Sequence, residues 1–502
     1  MSPPAFFMGL DVAHSGLGLV VLSGDGKPVA NLRRAYGSHT NLHDPQDWWR
    51  AARTGVKEIL RRAELRADQI RCIGLTGDSD GMVVLGSDGR VLIPCCLGAD
   101  PRADGYVERL NRTVGARNLL NLAGSPAVAS ATAVKLLWLK DNEKRAWHDA
   151  HIVLPPKDFL RFRLCGNLVT DATDASATLL FNPKTRSWSK QLLAQLEINP
   201  AWLPAISSGQ LISGRISDTA ARESGLQAGT PVVTGGGHAA AVAVSAGVLN
   251  PGQVLIELGA GAGLFAPTSE TLRDPSFRLI GSCHCLAGTW AQAAPNLAGL
   301  APIEWLSDIV FTNEVLHARR TGRDPLDPLT EKAAEVPPGA DGLLYLPAEQ
   351  GRLAGFLGLK QHHGRGHLVR AALESGALAA RQALDSLRDL KQPVKEVLVS
   401  GPGAHNTLWC QILADALDLQ VHAVAVPECA ATGAAILASS AVGLYKSVQE
   451  ACGHLIRGTT MYTPRKAASD VYQDLRNQLS EMLPKPAPPT GGTDIFLNPA
   501  SA

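Results

Sequence analysis

The 502-residue sequence has almost no net charge, with 47 lysines and arginines against 46 aspartates and glutamates and a formal charge of +1. No global field therefore draws it to nucleic acid or to an acidic membrane surface. It has no Cys-x-x-Cys pair. The nine cysteines are odd in number and scattered, so neither a disulfide framework nor a zinc ribbon is indicated, and a reducing cytoplasm fits. Cys283-His284-Cys285 has the look of a metal fragment, but an alternating strand puts the two cysteines on one face and the histidine on the other, so a structural role is expected. No apolar run reaches the ~20 residues of a membrane span. The opening Met1-Ser-Pro-Pro-Ala-Phe-Phe-Met8 lacks the basic region and long apolar core of an export signal. A soluble, cytoplasmic chain is expected.

What is present is apolar substance and glycine. Hydrophobic residues make up 45% and charged ones 19%, enough to bury a large core. At ~150 residues per domain the length fits three units, or two large ones. Glycine, 49 of 502, exceeds the usual share of about 7%.

Those glycines punctuate a repeated opening. Phe6 to Leu10 reads as a strand, Asp11 to Gly16 as its small-residue turn and Leu17 to Leu22 as a second strand, with Asp25-Gly26 closing the next hairpin. Trp48, Trp49, Ala52, Val56 and Leu60 predict a helix from Asp47 to about Arg62. Ile70 to Thr76 is a strand running into Gly77-Asp78-Ser79-Asp80-Gly81. In mid-chain, Gln253 to Leu258 runs into Gly259-Ala260-Gly261-Ala262-Gly263 and on into Leu264-Phe265, an echo of the opening that predicts two related halves meeting near Ala246 to Pro251. A βαβα unit follows: strand Val394 to Ser400, turn Gly401 to Ala404, helix His405 to Leu417, strand Leu419 to Val426, helix Cys429 to Val442. The expected division is 1–246, 247–484 and a disordered Pro/Gly/Thr-rich tail, 485–502.

Four glycine segments could present convergent N–H groups to an anion: Ala13 to Gly16, Gly235-Gly236-Gly237, Gly259 to Gly263, and Gly401-Pro402-Gly403, the last at a helix N-terminus. Each alone is more often a plain hairpin or turn. Together, in two related halves, they favour a nucleotide cleft. Asp11 beside the first turn is a natural carboxylate for a Mg²⁺ travelling with phosphate, or else it caps its own turn.

These residues resemble the FGGY carbohydrate kinases, xylulokinases most of all. The likeness runs from about residue 6 to 483 through Gly9-Leu-Asp11 with Ser15-Gly16, Asp44-Pro-Gln-Asp-Trp48-Trp49, Lys135-Leu-Leu-Trp138, Leu154-Pro-Pro-Lys157-Asp158, Thr170-Asp171-Ala-Thr-Asp174-Ala175, Pro231 to Gly237, Gly401-Pro-Gly403-Ala404, and Glu428 with Gly433-Ala434-Ala435. The resemblance implies an α/β fold of two actin-like (ribonuclease H-like) domains around a central cleft, with ATP and Mg²⁺ as cofactors and a small sugar or polyol as substrate. A homodimer is an admissible assembly. It places Mg²⁺ at Asp11, phosphates at Ser15 and the Gly259, Gly261 and Gly263 turn, and adenosine beside Gly401, Gly403, Ala404 and Asn406. Asp80, Asp100 and Arg102 would face the sugar.

The family's catalytic base is an Asp just after the triple glycine, and here that position is His238, followed by Ala239 where the family has Asn. The family's first turn carries a Lys or Arg where Gly18 stands. Gly-Gln-Met-His-Gly appears as Gly77 to Gly81, and Trp-Asn-Asp-x-Arg as Gly98-Ala99-Asp100-Pro101-Arg102. Three readings follow. Neutral His238 is the base; Asp78 or Asp80 supplies the missing carboxylate; or transfer is lost and the protein binds a sugar or nucleotide as a regulator.

Overall fold

The computed structural model describes residues 5–37, 42–98, 100–259, 263–295, 297, 301–347, 354–456 and 458–482. Gly261 and the 485–502 tail lie outside the described residues. Among those described, no helix is long and apolar enough to cross a membrane.

Two seven-stranded mixed sheets organise the chain. In the first, β1 (Phe6–Ala13) forms a hairpin with β2 (Gly16–Ser23), which pairs with β3 (Pro28–Arg34) at the edge. On its other side β1 runs parallel to β4 (Ile70–Gly77). On the far side of β4 lie β5 (Ile212–Arg215), at the edge, and β6 (Pro231–Val233), between it and β4; the short β7 (Gly236–Gly237) also lies parallel to β4. The strands β1 and β2 are buried on both faces, and their near-continuous apolar runs reflect cover from both sides. One cover is helix α1 (Pro45–Arg62), capped by Asp44, whose carboxylate accepts the Gln46 N–H at 2.9 Å; Trp48, Trp49, Ala52, Val56 and Leu60 are its buried stripe, as the spacing predicted. Helix α2 (Pro156–Cys165) packs on the same side.

The second sheet repeats the plan. Its β8 (Gln253–Glu257) forms a hairpin with β9 (Gly263–Thr268), backed by β10 (Ile280–Cys283) and β11 (Trp290–Pro295), and β8 runs parallel to β12 (Glu396–Ser400) as β1 does to β4. Strands β13 (Val421–Val424) and β14 (Thr459–Tyr462) complete it. The predicted echo is thus a repeated pairing pattern.

Between the sheets lie α3 (His238–Ala246) and, after α4 (Thr407–Leu417), α5 (Cys429–Ala441). A single core joins Phe7, Val20 and Val233 of the first sheet to Leu255, Phe265 and Leu398 of the second through the alanines of α3 and α5. The approach is backbone to backbone. A Cβ on Gly9 would lie 1.8 Å from the Ala431 carbonyl oxygen, one on Gly74 1.9 Å from that of Ala434, and one on Gly433 1.8 Å from that of Ala241. These three glycines therefore serve layer spacing rather than the cleft turns.

Candidate active site

The ends of these strands meet in one place. Hairpin pairing continues to Ala13 opposite Gly16, so the turn is only His14-Ser15 and Asp11 lies inside β1 rather than ending it as the sequence suggested. Asp11 is 1% exposed and sits between Gly18 and Thr76 on the flanking strands. Because Gly236 and Gly237 pair with Thr76 and Gly77, the Asp78 loop and the start of α3 emerge side by side. From the second sheet Glu257 arrives at the end of β8.

His238, the first residue of α3, stands between the two sheets' carboxylates. Its Nε2 is 3.0 Å from Glu257 Oε1 and its Nδ1 3.7 Å from Asp11 Oδ1. Burial works against protonation, but Glu257 and Asp11 together carry the imidazole pKa well above its usual 6.5. That shift favours the protonated ring, in which neither nitrogen has a free lone pair to act as a base.

Asp78 differs. Burial raises its carboxyl, the charges of Asp11 and Asp80 add to the rise and His238 restrains it, leaving it at about 7. Burial also raises Asp80, against the pull of Lys135 and a hydrogen bond with Ser130. Lys135 donates to the Asp80 backbone carbonyl and acts on Asp100 as well, so one lysine joins the two expected sugar-side carboxylates. Asp100 is held by Arg102, whose Nε lies 2.9 Å from Oδ1 and Nη2 2.6 Å from Oδ2; burial opposes ionisation of Asp100, yet Arg102 outweighs it and lowers the carboxyl. The guanidinium stacks 4.3 Å over Trp138.

The other glycine turns are also adjacent. Parallel pairing of Glu257 with Ser400 and the hydrogen bond from Gly403 N–H to the Leu258 carbonyl at 2.8 Å set Gly259 beside the Gly401 to Asn406 turn. Gly401 has φ +89°, open to glycine.

Residues 6–245 match the model of the FGGY family of carbohydrate kinases, N-terminal domain, and residues 254–442 match that of its C-terminal domain. The chain belongs to the FGGY family. It is 28% identical over 463 residues to a xylulose kinase of Escherichia coli strain K12, covering 88% of this chain and 92% of that one. It is 27% identical over 496 residues to an autoinducer-2 kinase of Salmonella paratyphi A, covering 94% and 93%. The crystal structure of xylulose kinase from Rhodospirillum rubrum superposes with a TM-score of 0.82 at 27% identity, over 95% of this chain and 98% of that one. The expected two-domain actin-like α/β fold is the fold of these FGGY kinases.

Within that FGGY frame, several expected residues are occupied by structural work. A Cβ on Gly403 would lie 2.7 Å from Leu258 Cβ and from Trp409 Cε3, so close packing alone requires glycine there. Asn406 caps α4, accepting the Trp409 N–H at 3.0 Å, while its amide donates to Thr330 Oγ1 at 3.0 Å. Ala404 is buried, Gly263 opens β9, and Ser15 accepts from Arg33 Nη1 at 3.3 Å. His284 is buried and held neutral, its pKa lowered by burial to about 4, and Cys283 bonds to neighbouring structure. Among the described residues no group of three His, Cys, Asp or Glu is arranged to hold a metal. A Mg²⁺ at Asp11 would therefore take most of its ligands from phosphate and water, its usual habit. The buried Asp11 Oδ1 accepts no hydrogen bond within normal reach, and its facing group is His238 Nδ1 at 3.7 Å.

Beneath the site lies a fully buried ionic cluster. Lys157 Nζ is 2.8 Å from Asp158, 3.0 Å from Asp171 and 2.9 Å from Asp174, and Arg161 also bonds Asp158. Ser79 Oγ donates to Asp174 at 2.5 Å, and Thr173 Oγ1 accepts the Gly237 N–H at 2.6 Å. The cluster thus fixes both the Asp78 loop and the start of α3. Sequence reasoning did not assign Glu257 or Arg33 to the site. Glu257 precedes its glycine turn much as Asp11 precedes the first, so the echo between halves held the signal; Arg33 had none without strand register.

Proposed function

We propose that this FGGY chain transfers a phosphoryl group from MgATP to a hydroxyl of a sugar or polyol, with Asp78 as the base. The relatives named xylulose kinase and autoinducer-2 kinase support that class of reaction. MgATP supplies the phosphoryl group and the metal charge that neutralises it. The observation that carries the reading is the convergence of Asp11, Asp78, His238 and Glu257 at the strand ends where the two sheets meet. A carboxylate with a pKa near 7 is ionised for much of its time at neutral pH and retains the basicity to take a hydroxyl proton. His238 bridges Asp11 and Glu257 across the boundary. Asp80, Lys135, Asp100 and Arg102 form the wall the acceptor meets, and Ser15, Gly259 and the Gly401 turn border the nucleotide.

The test is a coupled ADP-release screen over pentuloses, hexuloses and polyols, run on the wild type, Asp78→Asn and His238→Ala. Asp78→Asn is expected to lose about a hundredfold or more in kcat, and His238→Ala to keep measurable turnover. Wild-type kcat in Asp78→Asn would remove Asp78 from the role.

A further inference from the structure

The β1–β2 turn has one guanidinium leaning over it, and the guanidinium comes from a neighbouring strand. Arg33 stands on the edge strand β3, directly opposite Gly18 in the β2–β3 ladder. Glycine at 18 leaves that face of the ladder open, and two groups fill it. A Cβ there would lie 2.4 Å from Glu428 Oε2 and 3.2 Å from Arg33 Nη2. From this place Arg33 Nη1 donates to Ser15 Oγ at 3.3 Å, and Nη2 stands 3.8 Å from Asp11 Oδ2.

The counter-ion arrives from the other half of the chain. Glu428 immediately precedes α5 in a left-handed conformation, φ +43° and ψ +59°, which a non-glycine residue adopts seldom. It accepts from Arg33 Nη2 at 2.6 Å and from Nε at 3.3 Å. The planar guanidinium fork that grips this carboxylate suits a phosphate equally well. The Arg33 side chain is 39% exposed, so an anion can reach it.

We propose that Arg33 holds the terminal phosphates of the nucleotide, and that Glu428 is its resting counter-ion, displaced when those phosphates enter. The inference rests on the phosphoryl transfer proposed above. It makes the Arg33–Glu428 pair a competitor of the nucleotide, so removing either partner has opposite effects.

Calorimetric titration of MgATP and MgADP into the full chain tests it with Arg33→Gln, Arg33→Lys and Glu428→Gln. Arg33→Gln is expected to weaken MgATP binding by about tenfold or more, because it removes a charge-assisted bidentate grip on phosphate, with Arg33→Lys recovering part of it. Glu428→Gln is expected to tighten binding several-fold. MgATP affinity within about twofold of wild type in Arg33→Gln would overturn the proposal. So would equal weakening in Arg33→Gln and Glu428→Gln, the signature of a merely structural pair. Should these shifts appear in a protein that phosphorylates no sugar, the transfer reading falls and this inference stands. A wild type that binds no nucleotide sinks both.

Discussion

Replacing Lys157 with methionine removes one cation from a cluster that already holds two cations and three carboxylates. Arg161 stays with Asp158, but Asp171 and Asp174 lose their partner at 3.0 and 2.9 Å. Asp171 keeps the Thr173 N–H at 2.7 Å, and Asp174 keeps the Ser79 hydroxyl at 2.5 Å. Breaking a buried ion pair by removing one partner costs about 3–5 kcal/mol, a large part of the ~5–15 kcal/mol that holds a domain folded. The loss has a pH signature. Lys157 is held above the ordinary lysine value, because its three carboxylates outweigh the cost of burial. Its stabilisation is therefore present across the neutral range and is lost only as pH rises through that elevated value. Burial already raises the Asp174 carboxyl to about 7 and Lys157 restrains it, so in the variant it rises further, and the penalty is absent below its unfolded value of about 4 and grows as pH rises. Urea unfolding at about pH 8 and pH 5, at matched m-values, is the assay. The expected loss is about 3–5 kcal/mol at the higher pH and distinctly less at the lower. A change under about 1 kcal/mol at pH 8, or an equal loss at both, would refute the argument. Because the cluster also fixes Ser79 and Gly237, kcat is expected to fall with stability.

With Asp78 as base, kcat/KM falls as pH drops below about 7, since protonation removes the acceptor; a pH-rate profile flat down to about 5.5 would contradict it. Gly9→Ala places a methyl 1.8 Å from the Ala431 carbonyl oxygen. A loss of unfolding free energy of at least about 1–3 kcal/mol is expected from such overpacking, and unchanged stability would show that α5 can shift off the sheet freely.

What was legible in the sequence was local. The α1 stripe and the β8–β9 echo follow from spacing within a few residues, and the structure shows them at Pro45–Arg62 and at Gln253–Glu257 with Gly263–Thr268. The helix expected from His405 begins instead at Thr407, because Pro402–His405 is a separate tight turn and Asn406 is the cap. The site was less legible for a physical reason. Arg33 meets Gly18 only through β2–β3 register, and His238 meets Glu257 only because two sheets stack around a helix layer. The chemistry of His238 depended on that second sheet. A lone histidine after three glycines reads as a neutral base, whereas two flanking carboxylates raise its pKa and favour the charged ring.

Gly9, Gly74 and Gly433 set the separation of α5 from the first sheet and from α3 by bare backbone, with carbonyl oxygens as the stops. A gauge of that kind admits no graded adjustment, because even one added carbon exceeds the clearance. Side-chain changes that leave the stack untouched belong at Asp78 and Asp80, in the loop that follows β4 and outside these backbone contacts. A frame held by backbone contact can in this way carry a changed reaction centre, and the search for a new acceptor by mutation belongs in that loop.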